Sequence, residues 1–415
     1  MNIWKEIGYK LQSASSHRDD KAGYPRVNNH IHTPWSFSSF SSIDDIIEAA
    51  KKENISVLGI NDFNTLDGFN EWAEKCYNAG IFPLFNIEMI GLNHNDLEAG
   101  RRVNDPNNPG RTYISGKALA YPRILSKDKA ARLKHIRDRS NEHVRLMTMK
   151  VNELLGELDG NLRIDFDEML ADYTRGMARE RHLAGMIRKK TEEKYPDGKK
   201  ASGIFYRLLG DDFSKIRQGD TAGLDNLIRS KLLKAGGTAF VEEDPEIFIE
   251  PAQIRDLILD AGGIPTYPFL ADFNDGMYTD FESDREEAAS SLTEKGFYSV
   301  EFIPARNDYK RFRDYVMFLY DRGFIITFGT EHNSPGIKPL EVRAGGERAL
   351  DEDLLGINYE GACIMAAHQY LSATEGSGYL DGNGLPRLSE KRKFIESGNK
   401  IINIVGSTPG TRGRW

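Results

Sequence analysis

The chain has 415 residues, 39% of them hydrophobic and 28% charged, a globular composition for which disorder is not the default. Acidic residues outnumber basic ones, 63 to 55, for a formal net charge of −8, so no general electrostatic reason exists to hold a nucleic-acid backbone. The two cysteines, Cys76 and Cys363, lie in helix-like segments without a nearby Cys or His partner, which argues against a disulfide framework or a Cys-based zinc site and suits a reducing compartment.

Residues 1–25 form an N-terminal segment without an apolar core behind basic residues, and no run of about 18 apolar residues occurs anywhere in the chain. A soluble, cytoplasmic protein without a membrane partner is expected. After Gly23-Tyr24-Pro25, a first strand should end at Asn28-Asn29-His30-Ile31-His32. Two units then repeat one grammar, an amphipathic helix closing near Gly or Asn and followed by a β-rich run: IDDIIEAAKKEN before ISVLGINDF, and GFNEWAEKCYNAG before IFPLFNIEM. Residues 115–245 break the rhythm. An apolar stripe through Leu133, Ile136, Val144, Met147, Val151, Leu154 and Leu158 predicts one long helix over 126–158, at the start of a helical insertion that caps the fold.

The grammar resumes with PAQIRDLILDAGG before IPTYPF, DREEAASSLTEKG before FYSVEFI, and YKRFRDYVMFLYDRG before FIITFGTE. Closing glycines suit left-handed helix caps, and continuous apolar strands such as 324–328 suggest a parallel sheet or barrel covered by helices. The expected fold is α/β, a barrel over 26–114 and 246–345 interrupted by the insertion. A C-terminal extension, 346–415, holds one more apolar helix at 362–371, a Gly-rich loop without phosphate-loop spacing, and a Thr/Gly/Arg-rich end.

Polar residues recur at the strand ends, where barrel enzymes keep their active sites. His30 and His32, at i and i+2 on a strand, project to one face and can converge on one ion. Asp62, Glu88, Tyr267 and Glu301 end later strands, and Glu331-His332-Asn333 ends the last. Imidazole nitrogens with carboxylate oxygens suit zinc, manganese or iron.

These motifs, in this order, resemble the polymerase and histidinol phosphatase (PHP) family, particularly its standalone metal-dependent phosphoesterase branch. NNHIHTPWS is similar to the family's first His-x-His motif, GINDFNTLDGF to its Thr-Asp-His-Asp-Thr run, NIEM to Gly-Ile-Glu, GGIPTYP to Ala-His-Pro, and FGTEHN to Gly-Ser-Asp-x-His. Within the insertion, Arg179-Glu180-Arg181-His182-Leu183-Ala184 is similar to an Arg-Pro-His-x-Ala run that binds substrate phosphate. The resemblance implies a distorted (β/α)7 TIM-like barrel of PHP type, holding up to three metal ions, that hydrolyses phosphate esters through a metal-activated water.

The metal site departs from the family's. Phe63, Tyr113 and Tyr267 stand where histidines are usual, Glu331 replaces an aspartate, Asn333 takes the last histidine's position, and His332 is displaced by one. What remains implies one divalent ion on His30, His32, Glu88 and Glu331. Substrate contacts then fall to Arg179, Arg181, His182 and Asn333, with catalytic assistance from Asp62, Tyr113, Tyr267 and His332. A small, phosphorylated substrate is expected. The alternatives are a metabolite-binding barrel without turnover, suggested by the aromatic replacements, and a one-metal lyase or sugar-directed enzyme. Oligomeric state is left open.

Overall fold

Among the described residues, seven strands follow one another around one sheet: β1 (Arg26–Ile31), β2 (Ile55–Phe63), β3 (Phe82–Leu92), β4 (Arg111–Lys117), β5 (Ile264–Phe269), β6 (Ser299–Phe302) and β7 (Ile325–Phe328). The computed structural model describes residues 3–13, 23–122, 125–273, 276–333 and 336–407; the Thr/Gly/Arg-rich end lies outside them. Helices between the strands present one apolar face to the sheet. In Ile43–Lys52 the side chain of Ser42 accepts the backbone N–H of Asp45, and Ile43, Ile46, Ile47 and Ala50 are buried.

The ring is nearly closed. A parallel bridge joins Ile31 to Glu331: the Glu331 N–H donates to the His30 carbonyl at 2.9 Å, and the His32 N–H to the Glu331 carbonyl at 2.8 Å. Gly329 makes that approach feasible, since a Cβ there would lie 2.2 Å from the Cβ of His30. The expected α/β barrel with outer helices is therefore present.

One strand departs from the expected parallel order. β4 runs antiparallel to both β3 and β5, whereas the other neighbouring pairs are parallel. β3 is long, 11 residues, and the chain after it folds back, so β4 travels in the opposite direction. β4 also extends to Lys117, so an insertion boundary at 115 cuts through a barrel strand.

That reversal explains the long helix. Lys127–Leu158, at 32 residues about 48 Å long, begins beside Asp260, whose carboxylate accepts the Ser126 N–H, and passes Asp67 after β2, which pairs with Arg137. Leu133 and Ile136 belong to the barrel core, whereas Val144, Met147, Val151 and Leu155 belong to a second core formed by the insertion. The helix is a strut that carries the insertion to the barrel mouth.

The two ends of the chain share the barrel core rather than standing apart from it. Ile3, Trp4 and Ile7 of the helix Ile3–Ser13 are buried there, as are most residues of Glu352–Glu375 and one face of Lys391–Gly406. Asn358 spans the seam between the first and last strands: its amide donates to the Val27 carbonyl at 3.2 Å, and its oxygen accepts the Phe328 N–H at 2.8 Å. Buried backbone groups at an incomplete seam need such partners. The C-terminal extension thus completes the barrel wall. Among the described residues, no helix is long and apolar enough to cross a membrane.

Candidate metal centre and anion pocket

At the mouth, the end of β1 and β3 direct three groups toward one another. The Nε2 atoms of His30 and His32 are 3.2 Å apart, and Glu88 Oε2 lies 3.5 Å from the first and 3.2 Å from the second. All three residues are buried. Among the described residues, they form the one group of at least three His, Cys, Asp or Glu whose donor atoms, all within 4.8 Å of one another, could hold a metal ion. Glu88 Oε2 is fully buried and has no hydrogen-bond partner. The imidazoles of His30 and His32 offset its charge in part, but a buried carboxylate oxygen without a hydrogen bond still costs free energy. A divalent ion would offset that cost, so these residues fit one.

β6 supplies a residue that orients the centre. Glu301 Oε2 lies 3.0 Å from His30 Nδ1, which fixes the N–H there and presents Nε2 toward His32 and Glu88 as the ligand atom. Burial alone would depress the His30 imidazole, but the Glu301 and Glu88 carboxylates outweigh it and push it up to about 9. Glu88 is held well below the usual carboxylate range despite its burial, chiefly by His30. Proton and metal therefore compete for one place.

Glu331 stands outside this group. Its carboxylate pairs with Arg306 and accepts from the Asn333 amide at 3.0 Å. A guanidinium satisfies the charge there, so the expected fourth ligand is an ion-pair partner in this conformation. The residue adopts φ 63°, with His332 at φ 58°, a left-handed pair that turns the chain across the seam.

A cavity of about 380 Å³ opens above the centre, lined on its floor by His30, Glu88 and Glu301. The insertion contributes the opposite wall, where Arg179, Arg181, Arg229 and Lys234 face a single carboxylate, Glu180. Glu180 accepts from Arg229 at 2.9 Å and from Lys234 at 2.8 Å. Burial would raise this carboxyl, but Arg179, Lys234 and Arg229 hold it well below the ordinary range. The backbone brings the two cations together through a π-helical turn, Arg229–Leu233. Arg181 is itself pulled down to about 10 by burial and by the neighbouring guanidinium of Arg229. Such a wall favours an anion.

Aromatic rings line one side. His32 stacks on Phe37 and Phe63, with ring centres 5.1 and 5.2 Å away, and Arg179 lies over Phe63 at 5.0 Å. Tyr113 meets Phe63 edge-on and faces the cavity; burial pushes its hydroxyl well above the ordinary phenol range, so it remains a hydrogen-bond donor.

Residues 28–202 match the family model of the PHP domain. Over those residues the chain is similar to a PHP domain. Two solved structures share its fold. One is a candidate metal-dependent phosphoesterase from Bifidobacterium adolescentis, with a TM-score of 0.50 and 14% identity over 80% of this chain and 94% of that one. The other is an amidohydrolase from Chromobacterium violaceum with bound sulfate and no metal, with a TM-score of 0.50 and 14% identity over 80% of this chain and 96% of that one. A search of curated protein sequences finds no match.

Several residues expected in the PHP site serve the scaffold instead. Asp62 is saturated by donors: Thr33 N–H at 2.7 Å, and the Thr33 and Ser36 hydroxyls at 2.5 Å each. It anchors the loop after β1, and burial raises its carboxyl despite His32 and those donors. Tyr267 points away from the mouth, because strand alternation gives the cavity face to its neighbour Pro268, and its hydroxyl donates to buried Glu282 at 3.0 Å. His182 caps the helix Glu180–Lys194, its Nδ1 accepting the Arg179 N–H at 3.0 Å. Burial, then Arg179, pull that imidazole down to about 4. His332 has both nitrogens engaged, with the Thr330 hydroxyl and the Lys338 carbonyl at 2.8 Å each. Burial lowers it as well. Arg179, Arg181, Tyr113 and Asn333 do line the cavity.

Sequence reasoning missed Lys117, Arg229, Lys234 and Arg306. The signal for Lys117 was a lysine inside the small and apolar run Ile114-Ser115-Gly116-Lys117-Ala118-Leu119.

Proposed function

We propose that this protein is a metal-dependent hydrolase of small anionic substrates, and specifically a phosphoesterase. The observation that carries the reading is the opposition of the His30, His32 and Glu88 cluster, of which His30 and Glu88 line the cavity floor, to a four-cation wall from the insertion. A divalent ion bound by those three residues would supply a Lewis acid that polarises the substrate and makes a water more acidic at neutral pH.

The chain's own residues do the rest. Glu301 orients His30. Arg179, Arg181, Arg229 and Lys234 receive the phosphoryl oxygens, where charge-assisted hydrogen bonds give both affinity and orientation. Arg306 and Asn333 complete the rim. Tyr113, protonated because it is buried, donates a hydrogen bond to an oxygen on which negative charge accumulates. Phe37 and Phe63 exclude water from one side of the centre and suit a substrate with an apolar or planar portion. The phosphorylated substrate, the single ion and the roles of these residues are elements of this reading. The test is release of inorganic phosphate from a panel of small phosphomonoesters after chelation and after return of Zn²⁺ or Mn²⁺. Metal-dependent release that vanishes in His30→Ala supports it, and metal-independent or absent release across the panel sinks it.

The aromatic stack on His32 favours one second reading, a barrel that binds a metabolite without turning it over. Thermal stabilisation by anionic metabolites in the presence of chelator, with no turnover, would select it.

A further inference from the structure

Lys117 lies in the centre of the barrel, and its side chain is 1% exposed. Lysine is almost never buried so completely unless it is paired. Here Nζ donates to three oxygens from three other strands: the Glu301 carboxylate of β6, the Asn29 carbonyl of β1 at 3.1 Å, and Asn61 Oδ1 of β2 at 3.3 Å. Three acceptors match the three N–H groups of an ammonium, and a neutral amine would leave one of them unserved.

A carboxylate, an amide oxygen and a backbone carbonyl converging on one point are also the donors that hard divalent cations take. This point adjoins the histidine and carboxylate floor. Glu301 uses its other oxygen on His30 Nδ1, and the Asn61 amide nitrogen lies 3.0 Å from His30 Nε2. Resting on the metal-dependent reading above, we propose that the Lys117 ammonium is the resident cation of a second cation position in this barrel, and that its presence limits the centre to a single divalent ion. The lysine neutralises Glu301 without a second ion, and a divalent ion added beside it would meet a fixed positive charge with its oxygen donors already engaged.

Counting ions by native mass spectrometry, after chelation and dialysis against Zn²⁺ or Mn²⁺, tests the assignment without reference to activity. The wild type and Lys117→Arg should each carry one ion. Lys117→Met, which frees the three oxygens and unmasks Glu301, should carry two. The double variant Lys117→Met/Glu301→Gln, which removes the freed charge, should return to one. If Lys117→Met carries one ion, as the wild type does, the assignment is overturned.

Should Lys117→Met fail to fold without metal, its thermal unfolding in excess divalent ion decides. Recovery to a cooperative transition supports an ion replacing the ammonium, and no recovery overturns it. A wild type that carries no ion fails the hydrolase reading, and the lysine assignment then stands or falls on whether Lys117→Met gains an ion that the wild type lacks.

Discussion

Glu301 presents one carboxylate oxygen to His30 Nδ1 at 3.0 Å and the other to the Lys117 ammonium. The imidazole is thereby fixed by a carboxylate that is itself neutralised, and its other nitrogen turns toward His32 and Glu88. Partners of this kind typically change metal affinity about 10- to 100-fold when removed. Glu301→Ala is therefore expected to weaken divalent-ion binding by about that factor, measured by isothermal titration calorimetry. Unchanged affinity would show that His30 is oriented without it.

The insertion wall makes a second expectation specific. Arg229→Ala and Lys234→Ala should each weaken the binding of inorganic phosphate about 10- to 100-fold, because a hydrogen bond to a charged group contributes roughly 1.5–3 kcal/mol. Lys231→Ala is the control, since Lys231 pairs with Asp212 and does not line the cavity. Equal losses in all three variants would reduce the effect to general electrostatics.

Glu282 makes stability depend on pH. Its oxygens accept the Leu270 N–H at 3.1 Å, the Tyr267 hydroxyl at 3.0 Å and the Ala271 N–H at 2.7 Å. Burial nevertheless pushes the carboxyl up to about 8, because desolvation outweighs those donors. A group raised on folding takes up a proton, so its stabilising contribution is complete below the ordinary carboxylate range and is lost as pH rises through about 8. The melting temperature of the wild type should therefore fall between about pH 5 and 8 and level off above, relative to Glu282→Gln, which cannot titrate. Parallel curves would place the titration elsewhere.

The C-terminal helices make a packing prediction. A Cβ at Gly398 would lie 1.8 Å from the Cys363 carbonyl oxygen, so Lys391–Gly406 and Glu352–Glu375 meet where only glycine fits. Gly398→Ala should destabilise the protein by about 1–3 kcal/mol, or roughly 1–3 °C in melting temperature for a chain of this length. A melting curve that matches the wild type would mean that the two helices separate at little cost.

Local signals made much of this fold legible. The apolar stripe through Leu133 and Leu158 marks the long helix, and His30, His32 and Glu88 sit where strands end, so alternation and barrel geometry suffice to bring them together. What failed has particular causes. Tyr267 and Pro268 are adjacent, and only the observed register shows which of them faces the mouth. Asp62 has the look of a catalytic carboxylate until Thr33 and Ser36 are seen to saturate it. Arg306, Arg229 and Lys234 come from a short 3₁₀ turn and a π-turn with its cap, which carry no periodic signature. Lys117 reads as a solvated lysine unless β4 is known to run antiparallel through the core.

Divalent-ion uptake by the chelated protein, quantified by elemental analysis after equilibrium dialysis, tests the central claim most directly. The wild type should bind one ion per chain, and His30→Ala should bind none under the same conditions. No uptake by the wild type, or equal uptake by the variant, would contradict a metal centre on His30, His32 and Glu88.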